Sequence, residues 1–232
     1  MFGSAAVSAV AGADGVTRFP VLASQVPLVL RRTADAVYLV GGAAGPIGGD
    51  ELSLRIDVGA GAFLRLRTAA ASIALPGLDG LESVLTVTVT VAAGGRLEYL
   101  PEPVVVTAGA RHATVVSVTL AAGSALVLRD ELLLGRHGEA GGAARSVLRA
   151  DYAGRPLLRQ SLSVGGTDAA SLGPAVLAGH RGVGTMLLVN AGEVAGAADP
   201  VPGVAVMPLA GPGVLVTALA NDAVTLRRRL TV

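Results

Sequence analysis

The chain has no cysteine, no tryptophan and no lysine among its 232 residues. Without cysteine there is no disulfide framework, no thiolate metal ligand and no cysteine nucleophile. A cysteine-free chain suits a reducing compartment, so a cytoplasmic location is expected. Charge is also sparse: charged residues make up 15% and the formal net charge is +1. No block of one sign is long enough for a nucleic-acid tail, and no nucleic-acid partner is expected. Arg227-Arg228-Arg229, the densest basic run, reads as the polar end of a terminal helix. Only three tyrosines and three phenylalanines are present, too few for the aromatic platforms of a sugar-binding surface.

Long hydrophobic runs are interrupted. The stretch Pro200 to Asn221 is uncharged and about long enough to cross a bilayer. Its repeated prolines and glycines break any lipid-exposed helix, so it reads as two short buried segments joined by a turn. No membrane partner follows from it. Met1 to Ala13 lack the basic start and continuous apolar core of a secretory signal, and none is expected.

Catalytic patterns are missing as well. The three histidines, His112, His137 and His180, share no metal-ligand spacing and read as surface or loop residues. No Gly-x-Ser-x-Gly elbow is present. Asp130-Glu131, and Glu98 with Glu102, read as solvated strand edges. The loop holding Gly41-Gly42, Gly45 and Gly48-Gly49 lacks a phosphate-binding lysine and leads into a strand, which excludes a nucleotide cradle. The chain is not expected to be an enzyme.

What is abundant is period-two alternation. Leu52, Leu54, Ile56 and Val58 alternate with Glu51, Ser53, Arg55 and Asp57, as in a half-buried strand. Val87, Val89 and Val91 alternate with threonines, and Val116, Val118 and Leu120 continue the pattern. Further strands are expected at 124–134, 145–152, 156–164, 184–190, 203–209 and 213–219. A weak repeat links Val58–Leu64, Val91–Leu97 and Leu120–Leu126, about thirty residues apart. Each has a strand end, small residues with a glycine, and a new strand. Glycine suits the left-handed positions of tight hairpin turns, and the units suggest glycine-turned strand pairs in stacked layers, a sandwich or a β-solenoid-like arrangement. Independent hairpins fit the repeat nearly as well. Two short helices are expected, Ser171–Ala178 and a terminal one capped by Asn221 or Asp222 and running to Leu230. The fold class is all-β, with 1–232 as one domain; 190–203 is the best candidate boundary.

Three loop segments combine polar and turn residues: Gly48-Gly49-Asp50, Leu97-Glu98-Tyr99-Leu100-Pro101 and Leu134-Gly135-Arg136-His137-Gly138-Glu139. In this order they resemble the motifs of the urease accessory protein family UreD, also called UreH. Arg67-Thr68-Ala69-Ala70-Ala71-Ser72 is similar to that family's Thr-rich strand end, and Gly109-Ala110 and Asp130 also fit. The chain departs from the pattern at Ile73, where the family usually follows with Lys and Tyr, and at Tyr99, where Trp is commoner. The resemblance covers roughly 20 to 230 and implies stacked, helically wound sheets. It also implies a maturation scaffold that bridges the urease apoprotein and UreF, with UreG reached through UreF. Nickel would be cargo in transit, with no cofactor tightly bound and no stable metal site. On that basis Asp50, Thr68, Ser72 and Glu98 are candidates for a polar passage, since oxygen ligands suit transient passage. Tyr99, Asp130, Arg136 and Glu139 are candidates for partner-binding loops. The plain alternative is that Asp50 caps a turn and Glu98 pairs with an arginine. The rival function is a protein- or carbohydrate-binding β module unrelated to urease.

Overall fold

The structure is a computed structural model that describes residues 1–167, 169–191 and 201–231. Strands β1 (Phe2–Ala11), β2 (Thr17–Ser24), β3 (Leu28–Arg32) and β4 (Val37–Gly41) open the chain. Strand β5 (Glu51–Val58) buries Leu52, Leu54, Ile56 and Val58, as its alternation predicts. The chain then turns at Gly59–Ala62 into β6 (Phe63–Thr68), but β6 does not pair with β5. The pattern recurs from β8 (Ser83–Val91) to β9 (Arg96–Leu100) and from β11 (Arg111–Leu120) to β12 (Ala125–Leu134). Strands β5, β8 and β11 are parallel neighbours in one sheet, and β6, β9 and β12 are parallel neighbours in the other.

The repeated glycine turns are therefore arches between two stacked sheets, as the solenoid-like reading of the repeat expects, and the alternative of independent hairpins does not hold. Both strands of each unit bury their apolar residues toward each other, which requires two facing layers. The arches stack by hydrogen bonds from Gly59 N–H to the Ala9 carbonyl, Ala92 to Val58 and Ala121 to Val91, at 2.8, 2.8 and 2.9 Å. Gly61, Gly94 and Gly123 take left-handed φ of 66°, 69° and 75° at equivalent positions. One repeat is thus one coil, and the molecule is a β-solenoid of about four turns. The short strands β7 (Ser72–Ala74) and β10 (Val104–Val106) close the coils, with β10 parallel to both β7 and the end of β12.

Antiparallel strands cap both ends. Strand β2 pairs with β1, and β3 with β4, while β1 and β4 run parallel to β5 and β6. At the far end β13 (Ala143–Tyr152) continues the first sheet parallel to β11, and β14 (Arg155–Gly165) returns from it as a true hairpin. Strands β15 (Gly182–Val189), β16 (Val204–Pro208) and β17 (Gly213–Ala220) extend the second sheet antiparallel beyond β12. The sheet orders are β14-β13-β11-β8-β5-β1-β2 and β16-β17-β15-β12-β9-β6-β4-β3. Strand β16 lies at an exposed edge, where Pro208 costs no ladder bond. Within that stretch, residues 201–221 hold two paired strands, and the first of them is not buried.

The terminal helix α1 (Ala223–Leu230) forms as expected, with the Asp222 carboxylate accepting from Thr225 N–H at 2.8 Å. Leu226 and Leu230 pack it on β15, where Gly184 leaves room for both side chains. The helix expected at 171–178 is reduced to one 3-10 turn, Ala169–Leu172, followed by turns. Gly173 and Pro174 interrupt the hydrogen-bond ladder there. Among the described residues α1 is the single α-helix, and no helix is long and apolar enough to cross a membrane. Residues 192–200 of the candidate boundary lie outside the described residues.

Candidate functional site

At the arch end the two sheets meet through Ile56, Leu64, Leu97, Leu120 and Leu126, all buried in one apolar cluster. Further along each coil the sheets diverge around a cavity of about 580 Å³. Its position follows from the alternation. Thr68 is the next inward residue after Leu64 and Leu66 on β6. Tyr99 follows Leu97 on β9, and Asp130 follows Leu126 and Leu128 on β12. On β11, Val116, Thr114 and His112 complete the inward row that starts at Leu120. All of these line the cavity together with Ser72. A mainly apolar cavity between the sheets therefore carries a belt of hydroxyl, phenol, imidazole and carboxylate groups, with the Arg129 and Arg136 guanidinium groups also on its lining.

Asp130 is enclosed by both sheets, and the surface it retains faces the cavity. Ser146 on β13 donates to its Oδ2 at 2.5 Å. Burial raises its pKa above the ordinary carboxylate value; the Ser146 bond opposes this and the Glu131 charge adds to it. Burial, with the nearby Asp130 charge, pushes the Tyr99 phenol well above its usual range. His112 is 1% exposed. Its Nδ1 lies 2.9 Å from Ser83 Oγ and its Nε2 lies 3.3 Å from Thr114 Oγ1. Burial lowers its pKa to about 4, so the ring is neutral near pH 7. The reading of His112 as a surface or loop residue is thus corrected. Thr68 accepts from Glu102 N–H at 2.8 Å and donates to the Ala70 carbonyl at 3.1 Å, which fixes the cavity corner.

The other candidates lie elsewhere. Glu98 alternates with Leu97 and Tyr99, so it points to the outer face of its sheet. There Arg65 and Arg96 hold it at 2.8 and 2.7 Å. Burial pushes its pKa up, but the two arginines outweigh that and the net shift is downward. Asp50 closes the Ile47–Asp50 turn, accepting from Ile47 N–H and from the Met1 amino group, both at 2.8 Å. Burial raises its pKa, and these bonds more than reverse it. Asp50 and Glu98 therefore take the turn-capping and arginine-paired places of the plain alternative, and neither lines the cavity. Tyr99 and Asp130 sit on strands inside, not on loops.

Arg136 and Glu139 do form a surface loop. Glu139 takes Arg136 Nε at 2.8 Å, Nη2 at 3.0 Å and its N–H at 2.9 Å. Those bonds lower the Glu139 pKa to about 2. Arg181 staples the loop by donating to the carbonyls of Leu134, Arg136 and Glu139. Arg136 also reaches the cavity rim.

An ion network absent from the sequence reading runs from Arg129 and Glu102 on the cavity lining to Glu131 and α1. Glu131 is buried, not on a solvated edge. Arg227 of α1 donates to both Glu131 and Glu102 at 2.9 Å. Arg129 Nε approaches Glu131 Oε2 at 3.2 Å without hydrogen-bond alignment, while its Nη2 donates to the Pro101 carbonyl at 2.8 Å. The only sequence signal for this network was charge recurring on the outward positions of β12. Among the described residues no three His, Asp or Glu side chains converge as a metal site.

A two-sheet solenoid with a polar-belted interior cavity defines a structural class, and sequence comparison then gives its family. Residues 3–232 match the family described as UreD urease accessory protein, and the chain belongs to it. It is 46% identical over 264 residues to urease accessory protein UreD of Frankia alni, covering 95% of this chain and 88% of that protein. The UreD of Parafrankia sp. is 45% identical over 246 residues, covering 93% and 82%. That of Streptomyces coelicolor is 44% identical over 236 residues, covering 98% and 93%.

Proposed function

We propose that this urease accessory protein is a non-enzymatic, cytoplasmic maturation scaffold. It holds the urease apoprotein and UreF, through which UreG is reached, while nickel passes as cargo through the inter-sheet cavity. The observation that carries this reading is the polar belt of Asp130, His112, Thr114 and Thr68 in a mainly apolar cavity, with Arg129, Arg136 and Glu102 also on its lining. A carboxylate beside hydroxyls and a single neutral imidazole is too sparse a set for tight capture and suits short dwell times. Membership in an accessory-protein family favours this over an unrelated binding module. The passage is assigned to Asp130, Thr68 and Ser72, with Asp50 and Glu98 left as structural residues.

The test is urease maturation in cells lacking the wild-type chain. Asp130→Asn keeps volume and the Ser146 bond but removes the charge. It is expected to lower the nickel content of urease while the complex with urease and UreF still co-purifies. Asp50→Ala with Glu98→Ala is expected to act through stability, lowering both together. If Asp130→Asn leaves nickel content unchanged, the cavity is not the route. Full urease activity in the deletion strain without excess nickel would remove the scaffold reading itself.

A further inference from the structure

The outer face of the ten-stranded sheet carries a group of arginines that its own carboxylates do not neutralise. Strand registers place Arg31 beside Tyr38, Tyr38 beside Arg67, and Arg67 beside Leu100. At strand spacing, Arg31 and Arg67 are about 10 Å apart, and Arg65 is about 7 Å from Arg67 along β6. All alternate with buried inward residues, Leu30, Leu39 and Leu66, so all face outward.

The carboxylates nearby are already engaged. Glu98 is shared by Arg65 and Arg96. Asp35, in the β3–β4 turn, accepts from the Thr33 hydroxyl at 2.7 Å. Its pKa is lowered first by that bond, with smaller contributions from Arg65 and Arg67. Glu102 pairs with Arg227 and lies 3.8 Å from Arg129. Arg67 has no ion pair or hydrogen bond among the described residues, and its Nε is sealed from solvent without a partner. Arg31 donates only to its neighbour's carbonyl, Leu30 O, at 3.0 Å. An unpaired, partly desolvated guanidinium is costly alone and gains most from a carboxylate arriving from outside.

Aromatic groups complete the surface. Arg65 and Arg96 lie over the exposed Phe63 ring at 5.5 and 5.4 Å. Tyr38 is half-buried between Arg31 and Arg67. Glu98 and Asp35 stand among the arginines, and fixed negative charges repel a continuous phosphate backbone or an anionic bilayer. Discrete carboxylates can seat between them.

We propose that this face, anchored by Arg67 and Arg31 and bordered by Tyr38 and Phe63, docks an acidic segment of a partner protein. The inference goes beyond the cavity reading and does not depend on nickel passage.

The experiment uses the full chain and a fluorescein-labelled peptide of alternating glutamate and glycine, read by anisotropy at low salt. The glutamate peptide is expected to bind, and its glutamine counterpart not to. Arg67→Ala is expected to weaken binding about tenfold, the scale of one charge-assisted pair. Arg31→Ala with Arg67→Ala is expected to abolish it. Arg155→Ala, an exposed arginine at the start of β14, serves as the charge-matched control and should change affinity less than about twofold, as a remote surface charge does. Arg67→Lys keeps the charge without the bidentate fork and guards against loss of fold; an intermediate affinity is expected. Unchanged binding in Arg67→Ala, or an equal loss in Arg155→Ala, overturns the proposal. So does polyuridine RNA or a phosphatidylserine vesicle displacing the peptide with higher affinity than its own.

Discussion

Side chains facing the inter-sheet cavity depart far from their ordinary chemistry, and burial is the cause. His112 has a pKa lowered from 6.5 to about 4 by burial. In the unfolded chain it takes up a proton below about 6.5, whereas in the fold it stays neutral until about 4. Its contribution is therefore present above 6.5 and lost as pH falls through 4, amounting to about 3 kcal/mol over that window. His112→Asn keeps hydrogen bonding to Ser83 and Thr114 and removes the titration. Urea melts from pH 7 to 4 should show the variant losing less stability than the parent over that range. Asp130 has the opposite sign. Its raised pKa gives stability that is present below the ordinary aspartate range and lost as pH rises through the folded value. Asp130→Asn should thus melt higher than the parent at pH 7, by about 2–4 °C per kcal/mol of relieved charge, and the gain should vanish on acidification. Equal melting temperatures at pH 7 would mean that the carboxylate is not penalised. Sequence motifs located Asp130 but not its setting. Turn chemistry at Asp50 and cross-strand charge at Glu98 are short-range, so those alternatives were legible. The burial of His112 depends on Ser83, a residue one coil away.

At the scale of elements, the arches and the terminal helix make separate demands. Gly123 has φ of 75° with open space around an added Cβ. Gly123→Ala therefore meets only the left-handed backbone penalty, about 1 kcal/mol. In Gly95 an added Cβ would lie 2.8 Å from the Gly59 carbonyl and 2.9 Å from that of Ala92. Gly95→Ala must push apart adjacent arches and should cost clearly more in chemical denaturation. Identical costs would contradict arch stacking. For α1, the cap at Asp222 was readable from local sequence, but its tertiary anchor was not. Arg227 gives Glu131 its aligned donor among the described residues, from 96 residues away in the chain, beside the misaligned Arg129. Arg227→Met leaves Glu131 only the misaligned Arg129 contact at 3.2 Å, so it should cost measurable stability but less than the about 3–5 kcal/mol of a fully stranded buried charge. Hydrogen exchange should localise the loosening to α1 and β12. The paired change with Glu131→Leu should recover much of the loss.

Across the whole molecule, packing runs from a closely packed arch end to a hollow opposite side. Leu97 is fully buried in the packed part, so Leu97→Ala should cost about 2–5 kcal/mol. Leu85 sits on the cavity wall and is only partly buried. Leu85→Ala removes the same atoms but opens little new void, and its loss in equilibrium unfolding should be markedly smaller. If the two costs match, the cavity is not a true gap in the packing. Period-two alternation and small-residue turns by themselves determined that the chain forms β-strands, which residues on each point inward, and where the glycine breaks fall. These are local consequences of pleat geometry and backbone sterics. Whether a glycine turn makes a hairpin or an arch was decided only in the tertiary structure, because hairpin and arch use the same left-handed glycine and differ in long-range partners. The same stacking of coils about thirty residues apart brought Asp130, Tyr99, His112 and Thr68 around one cavity. It turned Glu98 to the opposite face, since adjacent residues on a strand cannot share a side.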